Sequence, residues 1–231
     1  MNVLALDTAT EACSAAVLTA RGLATRYEEL ERAHAERILE MVDSVLAEAG
    51  VTLQELDAVA FGRGPGAFTG CRLAAGVAQG LAFGAGKPVV PVSDLRALAQ
   101  RVLDHSRDAR GVLVCTDARM QELYWACFRR GAEGLAEPSG IERVGAPDAI
   151  ELPRELEPPV YGVGRGFLAY RRLRERLRDR LAVVEPEWLP RAEEVGRLAR
   201  VEVVAGRIVA PQEAVPVYLR DDVTQGGKSR N

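Results

Sequence analysis

Aromatic residues make up only 5% of the 231-residue chain, 2 Trp, 5 Tyr and 5 Phe scattered along its length. So thin a supply argues against the stacking platforms that hold single-stranded nucleic acid. Lysine stands only at Lys87 and Lys228, so arginine is the chain's general cation. The only histidines are His34 and His105, and Ile38 stands four residues beyond His34, which leaves no histidine pair at helical spacing for a metal. Cys13, Cys71, Cys115 and Cys127 form no C-x-x-C motif and sit among apolar residues, the pattern of buried, reduced thiols. No apolar run is long enough to span a bilayer. Met1–Leu6 lacks a basic segment and is cut short by Asp7, so a signal peptide is not expected and a cytoplasmic location is. A formal charge of −3 gives no whole-molecule field that would draw in a polyanion.

What is there is an alternating α/β pattern. Val3–Leu6 and Cys13–Leu18 read as two strands joined through the polar turn Asp7-Thr8-Ala9-Thr10, with a third, more exposed strand over Leu23–Leu30. Ile38, Met41, Val42, Val45 and Ala49 recur at helical spacing, and Gly50 closes that helix. A buried strand, Leu56–Phe61, runs into Gly62-Arg63-Gly64-Pro65-Gly66. Thr69 is the expected cap of the next helix, which carries Leu73, Val77 and Leu81 with many small residues. Val89–Val92 is a fifth strand, and Ser93 caps a helix from Asp94 to about Asp104.

The pattern then restarts. Val112–Cys115 ends in Thr116-Asp117-Ala118-Arg119, and a strand resumes at Leu123, six residues after Asp117, as Cys13 lies six after Asp7. The repeat predicts a duplicated unit, with lobes over residues 1–107 and 108–231. The prolines between Gly131 and Pro159 predict loops, and Pro159–Val163 a last strand. The following helix carries Leu173, Leu177 and Leu181 on one stripe, and the tail from Gln225 is expected to fray.

Several residues suit chemistry without fixing it. Asp7, Gly64 and Gly66 would fit a nucleotide cleft, the carboxylate for Mg²⁺ and the glycine amides for phosphate. Asp7 serves equally well as a turn former. No Gly-Lys-Ser/Thr follows the first glycine run, and Gly162–Gly166 lacks the dinucleotide register. Asp117 and Arg119 read as an internal ion pair or as a ligand with its neighbour. The arginines between Arg165 and Arg180 suit either phosphate contact or a solvated face paired with Glu175 and Asp179.

Taken together, Leu4–Ser14, Gly62–Arg72, Asp117–Met120 with Glu122–Ala126, and Pro216–Arg220 closely resemble the bacterial TsaB (YeaZ) family, over nearly the whole chain. The resemblance implies an α/β, actin-like ASKHA (RNase H-like) fold of two lobes built from a duplicated ββ(β)αβα unit. It also implies a non-catalytic scaffold that binds and activates TsaD, works with TsaE, and supports formation of N6-threonylcarbamoyladenosine at position 37 of ANN-decoding tRNAs. Contact with tRNA would be indirect or weak, and no membrane is involved. TsaD holds its metal partly with a His-Met-Glu-Gly-His segment; the corresponding stretch here is Asp94-Leu95-Arg96-Ala97-Leu98, and Leu98 cannot ligate. No cofactor is required of this chain, although ATP or ADP at the partner interface stays open. His34, Ile38, Met41, Leu73 and Val77 are the expected partner-facing residues, and the same surface would support a homodimer without TsaD. The alternative is an ATP-dependent kinase or ATPase of the same fold, which Thr8, in place of a glycine after Asp7, disfavours.

Overall fold

The computed structural model describes residues 1–220; the tail from Gln225 lies outside the described residues. The first sheet is built from β1 (Val3–Asp7), β2 (Ala12–Leu18) and β3 (Leu23–Glu29). After α1 (His34–Ala49) come β4 (Ala58–Gly62), α2 (Phe68–Ala85) and β5 (Val89–Val92). Its order is β3-β2-β1-β4-β5: the three strands from β1 to β3 are antiparallel, and β4 and β5 join parallel to β1.

Next follow α3 (Asp94–His105), β6 (Gly111–Asp117), β7 (Leu123–Arg130), β8 (Ala136–Pro138), β9 (Arg143–Gly145), β10 (Val160–Val163), α4 (Gly166–Ala169), α5 (Arg171–Leu177), β11 (Val183–Glu185) and α6 (Ala192–Val204). The second sheet runs β11-β10-β6-β7-β8, with β9 also paired to β7. Strand for strand it repeats the first: β6 and β7 form the antiparallel pair, and β10 and β11 add parallel to β6. The turns repeat as well. Asp7 Oδ1 accepts from the Ala9 amide at 2.8 Å, and Asp117 Oδ1 from the Arg119 amide at 3.0 Å. Two such sheets with interleaved helices constitute the two-lobed ASKHA fold.

The strands divide between the two sheets on either side of residue 107, but the helices that cover them cross over. Apolar residues of α3 (Leu95, Leu98, Val102) pack on β6, β7 and β10 of the second sheet. Those of α6 (Val195, Leu198, Ala199) return to cover Val3, Ala5, Ala16, Ala60 and Val90 of the first. Each half lends its last helix to the other half's sheet. The Ala192 amide at the start of α6 even donates to Ser14 Oγ on β2, 2.9 Å away. The expected lobes over 1–107 and 108–231 separate the strands of the two sheets, while burial of each inner sheet face requires a helix from the other half.

The outer face of the first sheet lies under α1 and α2. Ile38, Met41, Val42 and Val45 are buried there against Leu4, Leu6, Val17 and Phe61. α4 and α5 cover the outer face of the second sheet through Phe167, Leu173 and Leu177. Ser93 caps α3 as expected, its Oγ accepting from the Arg96 amide at 3.1 Å. Thr69 does not cap α2, which begins one residue earlier with Ala67 at its N-cap position and no side-chain cap.

Candidate functional site

Between the lobes, at the ends of β1 and β6, lies a cleft of ≈ 860 Å³. Its walls are the β1–β2 turn (Thr8–Glu11), the approach to α1 (Leu30–Glu36), the start of α2 (Gly66–Gly70), the β6–β7 turn (Thr116–Met120), Arg165, Tyr218 and Arg220. The duplicated hairpins thus face each other across it.

Asp7 is not part of its lining; at 0% exposure it lies beneath the floor. One oxygen holds the turn through Ala9. The other faces Asp94 Oδ1, and neither of these two oxygens has a hydrogen-bond donor when both acids are ionised. Asp94 Oδ2 accepts from the Gly64 amide. Burial pushes both carboxyls up, and the charge of Asp7 pushes Asp94 further, well above the usual carboxylate range. The consistent state carries a proton on Asp94 that is donated to Asp7 Oδ2. The pair joins the end of β1, the loop after β4 and the start of α3. Sequence pattern does not reveal Asp94 as the partner, because an acid in the first turn of a helix has an ordinary explanation of its own.

The glycine loop is filled by protein. A Cβ on Gly66 would lie 2.9 Å from Ala9 Cβ, and one on Gly70 would run into the Thr8 carbonyl. The Ala67 amide donates to Ala9 O at 2.7 Å, and Thr8 Oγ1 donates to Gly70 O at 2.8 Å. Gly64 adopts φ +97, where its amide reaches Asp94, and it does not line the cleft. These glycines permit close approach of two backbones. Of Asp7, Gly64 and Gly66, the residues expected to suit a nucleotide, only Gly66 lines the cleft, and the β1–β2 turn packs directly on its loop.

Of the expected partner-facing residues, Ile38 and Met41 are in the core, at 0% and 3% exposure, because α1 turns its apolar stripe toward the sheet. His34 and Leu73 line the cleft, His34 with Nε2 3.0 Å from Thr10 O. Val77 is half-buried against the α1–α2 core. The outward faces carry a different set: Leu39 on α1, and Gly76, Gly80, Phe83 and Gly84 on α2. These are legible only once the inward stripe has been assigned.

A strap closes one side of the cleft. The Gln79 side chain donates to Ala214 O at 2.9 Å, and the Val217 amide to Arg63 O at 2.8 Å. The Tyr218 ring lies 5.4 Å from that of Phe68, and Arg72 Nε donates to the Tyr218 hydroxyl at 2.8 Å. Arg220 crosses to the other lobe, where it donates to Ala118 O at 3.3 Å and pairs with Glu122. It thereby holds a turn in which Arg119, Met120 and Gln121 all have left-handed φ, between 52 and 62. Such conformations are costly for residues with a Cβ and require surrounding support. Asp117 and Arg119 approach only to 3.9 Å, with Arg119 largely exposed, so the turn bond rather than the ion pair fixes Asp117.

All four cysteines are free and buried, as expected. Burial pushes the Cys13 thiol up to about 11 and that of Cys127 to about 12, which keeps both protonated and unreactive. Among the described residues no three His, Cys, Asp or Glu side chains come together as a metal site, and no helix is long and apolar enough to cross a membrane.

The chain is similar to curated proteins named tRNA threonylcarbamoyladenosine biosynthesis protein TsaB. The protein from Haemophilus influenzae is 40% identical over 97% of this chain and 95% of the relative. That from Escherichia coli is 39% identical over 96% of each. The chain belongs to the TsaB family. A solved structure named YeaZ from Pseudomonas aeruginosa agrees, with a TM-score of 0.84 and 41% identity over 94% of this chain and 99% of that one. A family model described as TsaD: tRNA N6-adenosine threonylcarbamoyltransferase matches residues 26–223. The TsaB family and the TsaD model thus meet in one fold. In this TsaB-family chain, Leu98 lies in the core between α3 and the second sheet, fully buried.

Proposed function

We propose that this TsaB-family chain acts in tRNA threonylcarbamoyladenosine biosynthesis as a scaffold subunit. It binds the transferase TsaD and activates it for N6-threonylcarbamoyladenosine formation at position 37 of ANN-decoding tRNAs, and it performs no catalysis of its own. The family relationship supports the pathway. The observation that carries the scaffold role is the outward face of α2. Gly76, Gly80 and Gly84 are exposed there at four-residue intervals, and, beyond the helix's own neighbouring backbone, no atom of the described residues lies within 4 Å of where their β-carbons would be. Each glycine inside an exposed helix costs about 1 kcal/mol relative to alanine. Nothing among the described residues offsets that cost, whereas close approach of a partner helix would. Phe83, 78% exposed, ends the stripe, and Leu39 of α1, 49% exposed, adds to the apolar surface.

The cleft supports the non-catalytic part. The acid at the end of β1 is sealed in a carboxyl pair, the glycine loop is packed on the β1–β2 turn, and Leu98, where the family resemblance implies a metal histidine in TsaD, is fully buried. The same α2 face would serve a homodimer when TsaD is absent, so the two associations would compete by mass action. TsaE would join the assembled pair.

The test is modified-nucleoside yield on unmodified tRNA supplied with threonine, bicarbonate, ATP and the other pathway proteins, with this chain present or omitted. Yield should collapse on omission and return on addition. A yield indifferent to the chain overturns the reading.

A further inference from the structure

Between Arg171 and Arg180 the chain carries six arginines and two acids, in a protein whose total charge is −3. Helical spacing allows these arginines to be paired with Glu175 and Asp179. The structure largely lacks that pairing. Among the described residues Glu175 makes no ion pair, and Asp179 meets only Arg178, at 3.4 Å with both side chains more than three-quarters exposed. Two arginines of the region do have structural work. Arg176 donates to Pro147 O and Ile150 O at 2.9 and 3.1 Å, and Arg165 is paired with Glu11 and Glu29. Arg171, Arg172, Arg174 and Arg180 are exposed and have no acid within ion-pair distance among the described residues. Acids of the neighbouring loop, Asp148, Glu151 and Glu155, also make no ion pair with them.

We propose that the exposed face of α5 and the turn after it is a contact surface for the phosphodiester backbone of RNA. Guanidinium groups present a fixed fork of donors that matches phosphate oxygens, and like-charged side chains crowded without counter-ions gain most from a polyanion. The face spans about 10 Å along the helix, enough for contact with about three phosphates at the charge density of a nucleic-acid strand. An anionic membrane fits less well. An interfacial helix lays its apolar side into lipid, but the apolar stripe of α5, Leu173 and Leu177, is buried under the second sheet. A charge total near neutrality is no obstacle, because a local patch acts within a Debye length, about 8–10 Å at physiological salt. The choice of RNA among polyanions rests on the pathway reading above.

The experiment titrates the full chain alone into a labelled, unmodified tRNA transcript and follows anisotropy at several salt concentrations. Micromolar binding at low salt is expected, with log K falling against log salt at a slope of about −2 to −3 for about three phosphates. The variant carrying Arg171→Glu, Arg174→Glu and Arg180→Glu should bind at least tenfold more weakly and lose most of the slope. Lysine at the same three positions should keep both. No binding by the native chain, or charge reversal without effect, overturns the proposal. So does loss of binding in the lysine variant while its Tm is unchanged. Equal, equally charge-sensitive binding to phosphatidylserine vesicles overturns the choice of RNA. The pathway reading falls separately: a yield that needs the chain together with absent RNA binding removes only the α5 proposal, whereas RNA binding with an indifferent yield supports it and removes the pathway.

Discussion

Asp94 and Asp7 sit where water cannot reach them, and two charges there would repel without relief. The proton they hold has a thermodynamic consequence. A carboxyl whose pKa is higher in the folded than in the unfolded chain makes the folded state bind more protons. Stability then falls as pH rises from the unfolded carboxylate range through the raised value. In Asp94→Asn the amide oxygen can still accept from Gly64 and the amide nitrogen can donate to an ionised Asp7, with no proton to lose. The variant should therefore be more stable than the native chain at pH 8, by about 1 kcal/mol or 2–4 °C in Tm for a chain of this size, and the gap should close toward pH 4. Thermal unfolding at both pH values checks it; a variant less stable at pH 8 contradicts the shared proton. Gly70 is a second residue-scale case. A methyl group there meets the Thr8 backbone carbonyl rather than a flexible side chain, so Gly70→Ala should destabilise by about 1–3 kcal/mol. Denaturant titration would read it as a lower midpoint, and no change would mean that the β1–β2 turn can yield. Asp7 as a turn former was legible in the sequence, but its partner 87 positions away was not, since contact between distant loops leaves no local trace.

At the scale of the element, α2 has two surfaces whose residues differ for different reasons. Its inward positions, Cys71, Ala74, Ala78 and Ala82, are small because the helix lies close on the sheet. Its outward glycines have no such cause among the described residues. A bulky charge at the centre of that stripe, Gly80→Arg, should leave Tm within a few degrees of native or raise it, since arginine is the better helix former. It should weaken capture of TsaD at least tenfold in a pull-down with purified protein. Unaltered capture would move the interface off α2. The apolar period of α1 and α2 was plain in the sequence, and it identified the helices correctly. It pointed to Ile38 and Met41 as contacts, however, because periodicity marks the hydrophobic stripe and that stripe is the one folding buries. α6 shows the converse: Ala192, Val195, Leu198 and Ala199 already have helical spacing, but glycine and paired charges among them dilute the signal.

At the scale of the whole molecule, the duplicated hairpins were readable from the equal spacing after Asp7 and Asp117, and the second sheet repeats the first accordingly. The exchange of α3 and α6 was not readable, because an apolar stripe records that a helix is covered and not by which sheet. A fragment ending at residue 107 keeps every strand of the first sheet and loses α6. The inner face formed by Ala5, Ala16, Ala60 and Val90 would then be bare, as would the α3 stripe. Such a fragment should be insoluble or lack a cooperative unfolding transition, whereas co-expression with residues 108–231 should restore a soluble complex. A fragment that unfolds cooperatively alone would show that the lobes are independent after all.

The helix exchange also sets an order of events on the ribosome. Strands from β1 to β5 are complete once Val92 has been made, but the helix that covers them begins 100 residues later, at Ala192. At about 5–20 residues per second, the apolar inner face of a finished sheet waits roughly 5–20 s for its cover. That wait spans 100 of the chain's 231 residues, so slow codons placed between α3 and α6 would lengthen the exposure of the bare face rather than assist folding.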